Sequence, residues 1–104
     1  MKLERISKTK IYTFAILRAG KNRNMEGEDK IIWEHGRRNF ILREEGKLSI
    51  VCPVNDGSDC SGIGIFNASL EGTKKIMDED LGVKQGVFIY EIHECRAFPG
   101  GSLS

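Results

Sequence analysis

The side chains most capable of chemistry in this 104-residue chain are two histidines and three cysteines. A zinc site needs about four cysteine or histidine ligands at suitable spacing. No two of the cysteines, Cys52, Cys60 and Cys95, have the CxxC spacing. His35 and His93 therefore have no cysteine pair with which to complete a zinc site. We therefore interpret the cysteines as reduced thiols that fill strand positions, and we expect no metal. The histidines remain as candidates for acid–base chemistry.

The two histidines differ in what surrounds them along the chain. His35 lies on the predicted inner face of a helix, where a histidine is ordinarily satisfied by a carbonyl or a carboxylate. His93 lies near the end of a predicted strand, and we favour a structural role for it. Ser61 is accompanied by no oxyanion-hole motif, so no activated nucleophile is evident. Arg18 and Arg96 lie at strand ends, where they could bind an anionic ligand, although solvated charges are the commoner explanation.

Two glycines at alternate positions mark one strand as unusual. Gly62 and Gly64 leave one face of that strand without side chains, which weakens a strand and indicates that something packs close to its backbone. Either a helix or an aromatic ring lies there, or the glycines form the floor of a ligand pocket. On the second interpretation, the candidate substrate-binding residues are Arg18, Ser61, Gly62 and Gly64.

The elements that must position these residues follow the order βαββαβ. Alternating and two-faced apolar patterns predict the strands, and apolar spacing of three and four predicts the helices. Ser69 is a helix-capping residue, and Gly46 is a natural helix stop. The predicted strands cover residues 11–18, 48–54, 60–67 and 87–95, and the predicted helices cover 28–45 and about 70–77. Residues 1–9 form an N-terminal extension to a single domain over residues 10–104.

The composition excludes several classes of protein. Hydrophobic residues make up 39% and charged residues 30% of the chain, which is the balance of a globular domain. The net charge of +1 gives no electrostatic footprint for nucleic acid or for an anionic membrane. No apolar run approaches the roughly 20 residues that a bilayer requires, and the first residues lack the apolar core of a signal peptide. We expect a cytoplasmic protein that binds neither nucleic acid nor membrane.

The order of the elements also predicts an assembly. A hairpin between two strand–helix units fits the ferredoxin-like α+β fold, with a four-stranded antiparallel sheet. Because βαβ crossovers are right-handed, both helices lie on the same face of that sheet. The first and last strands are nevertheless apolar on both faces. We therefore expect a second copy to cover the other face, as a homodimer of the dimeric α+β barrel type.

The C-terminal segment resembles a known family. Residues 76–103 read IMDEDLGVKQGVFIYEIHECRAFPGGSL, which is similar to the end of the YCII-related (YciI-like) proteins, small dimers with a ferredoxin-like fold. The resemblance extends over roughly residues 10–103, and the tail is its most specific part. His35 and the Gly46-Lys47-Leu48 step also fit the family layout. The matching tail residues are His93, Cys95, Arg96, Phe98, Pro99 and Gly100.

The resemblance implies a pair of site residues. Family members carry a histidine on the first helix and an aspartate just after the second, together in a pocket, and His35 and Asp80 match them. Leu81 stands where the family usually has proline, so a local backbone restraint on the carboxylate is missing. Gly101 stands where the family tail commonly has aspartate. Asp78 is the alternative partner of His35.

The chemistry of such a pair is proton transfer. A carboxylate fixes the tautomer of a neighbouring imidazole and makes it a better base. The pair could take a proton from a hydroxyl or an activated carbon and return it to a neighbouring atom, as in isomerisation, lactone chemistry or elimination. We predict a cofactor-independent enzyme of small metabolites with His35 and Asp80 as catalytic residues. The alternatives are a non-catalytic module that binds a small molecule or a partner protein, and a purely structural dimer.

Overall fold

The chain is described here as a computed structural model over residues 10–98. Within that range it forms four strands and three helices. The predicted N-terminal extension and the tail from Pro99 onward lie outside the described residues. The elements are β1 (Ile11–Ala19), α1 (Glu28–Glu44), β2 (Leu48–Pro53), β3 (Cys60–Phe66), α2 (Leu70–Asp78), α3 (Leu81–Lys84) and β4 (Phe88–Arg96).

The four strands form one antiparallel sheet in the order β2-β3-β1-β4. β1 lies in the centre and pairs with both β3 and β4, and β3 pairs with β2. Two of the pairings are irregular, one of them between Leu17 and Arg18, where β1 meets β3. This order joins the two βα units through a hairpin, and the predicted ferredoxin-like βαββαβ fold is confirmed.

The helix boundaries follow the signals in the sequence. Ser69 caps α2, because its hydroxyl accepts a hydrogen bond from the Gly72 N–H at 3.0 Å. After α1, the chain turns at Gly46, whose φ of +78° lies in the left-handed region that glycine adopts without strain. Both boundaries are where the sequence predicts them.

The hydrophobic core lies between the helices and one face of the sheet. From β1, Ala15 and Leu17 point into it, and from the helices Leu42 and Met77 do so. Thr13, the buried polar residue of the same strand face, donates its hydroxyl proton to the Ala68 carbonyl at 2.9 Å. The remaining members of the core cluster are Leu48, Phe66, Val87 and Phe88.

The opposite face of the sheet carries large apolar side chains that are partly exposed in the single chain. Ile63, opposite Ile16 and Cys52, is 38% exposed, and Ile50 and Ile89 are 39% and 55% exposed. The last strand is therefore apolar on both faces, as the sequence predicts, with Phe88 in the core and Ile89 on the face that the helices leave open. No helix within residues 10–98 has the length and apolar character needed to cross a membrane.

The short helix α3 was not predicted from the sequence. It follows α2 after a single bend at Glu79 and Asp80, and its four residues include Gly82. Gly82 is buried, and a Cβ at this position would lie 2.6 Å from Cδ2 of Phe88. The absence of a side chain at Gly82 therefore allows α3 to lie against the start of β4.

Candidate functional site

His35 and Asp80 meet between α1 and the α2–α3 junction. The imidazole Nδ1 of His35 lies 2.9 Å from Oδ1 of Asp80. Asp80 is only 2% exposed, and the side chain of His35 is largely buried. The pair that the family resemblance implies is therefore in direct hydrogen-bond contact.

Asp80 is held in place by the helix that follows it. Its Oδ2 accepts a hydrogen bond from the Val83 N–H at 3.2 Å, which makes Asp80 the N-cap of α3. Leu81, the residue that replaces the proline of the family pattern, is simply the first residue of this helix. The cap supplies the orientation of the carboxylate that a proline would otherwise help to fix.

The environment of Asp80 keeps its carboxyl ionised. Burial alone would raise the pKa of Asp80, but the hydrogen bond from His35, and the charge of that ring when it is protonated, oppose the effect of burial. The Val83 N–H and the guanidinium of Arg38, whose Nη1 is 3.7 Å from Oδ1, act in the same direction. Together they hold the pKa of Asp80 below its usual range.

Arg38 is itself fixed by the neighbouring helix. Its Nη1 donates to the carbonyl of Ile76 in α2 at 2.8 Å. Because this hydrogen bond anchors the guanidinium near the end of α2, the positive charge stays close to Asp80. α1 therefore contributes both an imidazole and a guanidinium to the surroundings of one buried carboxylate.

Asn39 defines the other side of the imidazole. Its Nδ2 lies 3.2 Å from Nε2 of His35, one helical turn away on α1. A carboxylate can only accept hydrogen bonds, so Nδ1 of His35 must carry the proton that Asp80 binds. In the neutral ring Nε2 is then the acceptor, and the amide of Asn39 is placed to donate to it. The sequence alone indicated no role for Asn39 in a site.

The ring of His35 also packs at a tilt against an aromatic residue of the sheet. The centroids of the His35 and Phe88 rings are 4.9 Å apart, with the planes inclined by 46°. Phe88 is buried at the start of β4, so its ring offers a fixed surface. Asp80, Asn39 and Phe88 together determine the position and orientation of the imidazole.

A cavity of about 730 Å³ opens beside this imidazole. It lies between α1, the β2–β3 hairpin and the core-facing side of the sheet, and aliphatic and aromatic side chains form much of its wall. His35 and Asn39 both line it, whereas Asp80 does not. The carboxylate therefore lies behind the imidazole, and it is the histidine that a molecule in the cavity can contact.

The glycines of β3 contribute to the floor of this cavity. Gly62 and Gly64 both line it, next to Ser61. A Cβ on Gly64 would lie 3.2 Å from Leu48 Cδ1 and 3.4 Å from Phe66 Cε1, and one on Gly62 would lie 3.3 Å from the Cys52 carbonyl oxygen. Other groups therefore pack closely against both glycines, and the same glycines border the cavity. Their role in binding a substrate stays a prediction.

Arg18 lies apart from the cavity and has partners of its own. Its Nε and Nη2 donate to Oε1 of Glu91 at 3.1 and 2.9 Å, and its Nη1 to Oδ1 of Asp59 at 3.2 Å. It is not among the residues that line the cavity. The cause is the alternation of side chains along β1: Leu17 faces the core, so Arg18 faces the open side of the sheet. The irregularity after Leu17 pairs Arg18 with Cys60 and leaves Ser61 without a partner on β1.

The second histidine belongs to the same network as Arg18. Nε2 of His93 lies 2.9 Å from Oε2 of Glu91, and its ring is 5.6 Å from that of Phe14. These residues lie on the face of the sheet that the helices leave open, because His93 pairs with Phe14 across the strands. The predicted structural role of His93 is in keeping with these contacts.

Asp78 makes different contacts from those of Asp80. Its Oδ1 accepts from the Tyr90 hydroxyl at 2.5 Å, and its Oδ2 from the Lys74 ammonium at 2.6 Å. Partial burial and the hydrogen bond to Asp78 raise the pKa of Tyr90 to about 12. Of the two aspartates, Asp80 is thus the one in contact with His35.

The three cysteines are free thiols. Cys60 lines the cavity, and Cys52 is exposed. Within residues 10–98, no group of three or more histidine, cysteine, aspartate or glutamate side chains is arranged to hold a metal ion.

Comparison with known proteins places the fold. Neither a family model nor a curated protein matches the sequence. Among solved structures, the chain is similar to the 5-chloro-2-hydroxyhydroquinone dehydrochlorinase TftG from Burkholderia phenoliruptrix, crystallised with 2,5-dihydroxybenzoquinone. The TM-score is 0.50 at 17% identity, over 78% of this chain and 90% of that one. The likeness is one of fold. At this identity it assigns neither a reaction nor a substrate.

Proposed function

We propose that this protein is a YCII-related, cofactor-independent enzyme that acts on a small metabolite by acid–base catalysis. The proposal depends on one observation. His35 borders a largely apolar cavity, and its Nδ1 lies 2.9 Å from the buried carboxylate of Asp80. A titratable side chain that borders a cavity and is oriented by a charged partner is a feature of catalytic sites.

The proposed mechanism assigns each residue one role. Nε2 of His35 removes a proton from a hydroxyl or an activated carbon of the substrate. Asp80 keeps the Nδ1 proton in place and stabilises the imidazolium that forms. The imidazolium then returns the proton to a neighbouring atom or to a leaving group. Proton transfer of this kind needs no redox or metal cofactor, and it suits isomerisation, lactone chemistry or elimination.

Asn39 is the proposed partner of His35 at the reacting atom. Its amide contacts Nε2 at 3.2 Å, at the nitrogen that must meet the substrate. A substrate group that reaches Nε2 enters beside this amide, which can then donate a hydrogen bond to an oxygen of the substrate. Asn39 thereby helps to bind negative charge that develops as the proton leaves.

The likeness to TftG supports small-molecule catalysis on this fold. That protein is named as a dehydrochlorinase and was crystallised with a quinone. Removal of a proton followed by loss of a leaving group is one of the reactions that a base at the position of His35 could begin. The support concerns the class of chemistry, and we transfer no substrate to this chain.

One observation favours a second candidate function. Both ring nitrogens of His35 already have partners in the structure, Asp80 and Asn39. A histidine satisfied on both sides also suits a non-catalytic module, in which the cavity binds a small molecule or the chain contacts another protein without turnover. In that case substitution of His35 would alter binding or stability, and no bond of the ligand would change.

The open face of the sheet supports the proposed homodimer. Ile50, Ile63 and Ile89 expose more than a third of their surface there in the single chain. A two-fold partner would bury this surface and would place the Arg18–Glu91–His93 network at or near the contact. With the charges of the chain nearly balanced, we expect neither nucleic acid nor a membrane as a partner.

The experiment that tests the function begins with a thermal-shift screen of a metabolite library. The wild type is compared with His35→Gln, in which the proposed base is removed. Glutamine can still donate a hydrogen bond to Asp80, so the buried carboxylate is not left unpaired. Compounds that raise the melting temperature of the wild type are then incubated with the protein in D₂O and followed by proton NMR.

The expected result is loss of substrate signal or deuterium incorporation with the wild type and a loss of about 100-fold or more in rate with His35→Gln. His93→Gln is the matched control, since it replaces the other histidine, on the opposite face of the sheet. Chemical change that persists in His35→Gln would contradict the proposal. Compounds that bind the wild type without any change would favour the non-catalytic module.

A further inference from the structure

Three polar side chains of α1 face the same cavity at intervals of four residues. They are His35, Asn39 and Arg43, and each lines the cavity wall. With a helical rise of 1.5 Å per residue, this row extends over about 12 Å along the helix axis, turning by about 40° at each step. The row therefore follows one edge of the cavity from the proposed base to a guanidinium.

Arg43 is the cation of this row, and among residues 10–98 it has no ion-pair partner of its own. Within residues 10–98, no carboxylate lies within 4.0 Å of its guanidinium. The other arginine at the cavity, Arg23, is paired with Glu28. An unpaired cation at the edge of a mostly apolar cavity is a place where the negative group of a ligand can bind.

The acidic residues at the cavity are engaged elsewhere. Asp59 is paired with Arg18 at 3.2 Å. Oδ1 of Asp56 accepts hydrogen bonds from the backbone N–H of Ser58 at 3.0 Å and from its hydroxyl at 2.5 Å. Each carboxylate therefore has its polar contacts within its own loop or with Arg18, whereas the guanidinium of Arg43 has no carboxylate within 4.0 Å in residues 10–98.

We propose that Arg43 forms an anion subsite, and that the substrate is an organic acid with an apolar body. Its acidic group binds Arg43, its apolar part lies over Gly62 and Gly64, and its reacting atom meets His35 near Asn39. The separation of the two ends is of the order of 12 Å, the rise of the helix between the two positions. The placement of the reacting atom at His35 rests on the function proposed above. Binding of the anion at Arg43 requires no proton transfer.

The test compares two fluorescent probes that differ in one group. 1-Anilinonaphthalene-8-sulfonate is an aromatic anion, and N-phenyl-1-naphthylamine has the same aromatic framework without the sulfonate. We expect Arg43→Gln to weaken binding of the anionic probe about 10-fold, the lower end of the range for a hydrogen bond to a charged group, and to change binding of the neutral probe less than about 2-fold. Arg43→Lys should restore part of the loss.

Two further variants locate the effect. Arg37 lies on the same helix, but it pairs with Glu34 and does not line the cavity. Arg37→Gln should therefore leave binding of both probes unchanged. Gly36→Leu adds a side chain at the cavity wall, where a Cβ would meet no atom within 4 Å, and should weaken binding of both probes. Near-UV circular dichroism confirms that each variant keeps its tertiary packing, because the anionic probe also binds partly unfolded chains that have lost this signal.

Four results would overturn the anion subsite. Two concern Arg43→Gln: it weakens binding of both probes equally, or it leaves binding of the anionic probe unchanged. The other two are that Gly36→Leu binds both probes as tightly as the wild type, or that the wild type does not bind the anionic probe. The assay is independent of turnover. If His35→Gln leaves the chemistry intact while Arg43→Gln removes the discrimination, the catalytic proposal is contradicted and the anion subsite is supported.

Discussion

Nδ1 of His35 lies 2.9 Å from Oδ1 of Asp80, across 45 residues of chain. The same carboxylate caps α3 through Val83, so one buried group joins the histidine of the first helix to the backbone that enters β4. Because Asp80 performs both tasks, its substitutions affect the stability of the fold and the orientation of the imidazole together. The variants below are chosen to separate these effects.

Two substitutions of Asp80 should distinguish its charge from its cap. Asparagine is as good an N-cap as aspartate, whereas alanine caps poorly. We expect Asp80→Ala to have a free energy of unfolding about 1 kcal/mol lower than that of Asp80→Asn. Both should impair turnover, because neither stabilises an imidazolium. Urea denaturation measures the difference, and equal stabilities would show that the cap contributes nothing.

The stability of the wild type should fall in acid partly through Asp80. Its pKa is lowered in the folded chain, so the ionised carboxylate contributes stability above the unfolded pKa of about 4, and this contribution is lost as the pH falls through the native value. Asp80→Asn lacks the contribution at every pH. The difference in unfolding free energy between the two proteins should therefore be larger at pH 7 than at pH 3.

The comparison isolates Asp80 because the other carboxylates with lowered pKa values remain in both proteins. Urea denaturation at several pH values between 3 and 7 provides the measurement. A difference that grows toward pH 3 would mean that the pKa of Asp80 is raised by burial, contrary to the contacts of the carboxylate.

Two glycine-to-alanine substitutions test how closely α3 packs on the site. A Cβ at Gly82 would lie 2.6 Å from Phe88 and 3.1 Å from Oδ2 of Asp80, so Gly82→Ala should destabilise the fold by about 1–3 kcal/mol. At Gly36 the added Cβ meets nothing within 4 Å, and Gly36→Ala should stabilise the helix by up to about 1 kcal/mol. Thermal or urea unfolding measures the stability of both variants. A change of stability in the same direction for both would contradict the packing of α3.

The proposed dimer can be tested with two isoleucines of similar exposure. Ile63 is 38% exposed on the open face of the sheet, and Ile41 is 40% exposed on α1. Ile63→Lys places a charge in the proposed interface and should yield monomers, whereas Ile41→Lys should leave the assembly unchanged. Sedimentation velocity at micromolar concentration measures both. A monomeric wild type would contradict the dimer directly.

The fold could be predicted from the sequence because its signals are local and strong. The two-faced pattern of β1, the Ser69 cap and the Gly46 stop each agree with the structure. The short helix α3 was missed, although Asp80 before Leu81 is a visible capping signal. A four-residue helix containing glycine has little propensity of its own, and tertiary packing against Phe88 accompanies its formation.

The site was harder to predict because it depends on contacts between distant residues. The pairing of His35 with Asp80 came from the family resemblance, and no periodicity in the chain indicates it. The contact between Asn39 and His35 follows from their spacing of four on one helix and could have been foreseen. Arg18 has Glu91 and Asp59 as its partners. These contacts depend on the strand pairings of β1 and on the irregularity after Leu17, which no local pattern reveals.

The central claim is that Asp80 holds the proton of His35 on Nδ1 and leaves Nε2 as the basic nitrogen toward the cavity. Long-range ¹H–¹⁵N NMR correlation of the histidine rings tests this without a substrate, and His35→Gln identifies which signals belong to His35. We predict that the neutral ring of His35 carries its proton on Nδ1 in the wild type, because this nitrogen faces the Asp80 carboxylate. A ring protonated on Nε2, with Nδ1 bare, would contradict the account.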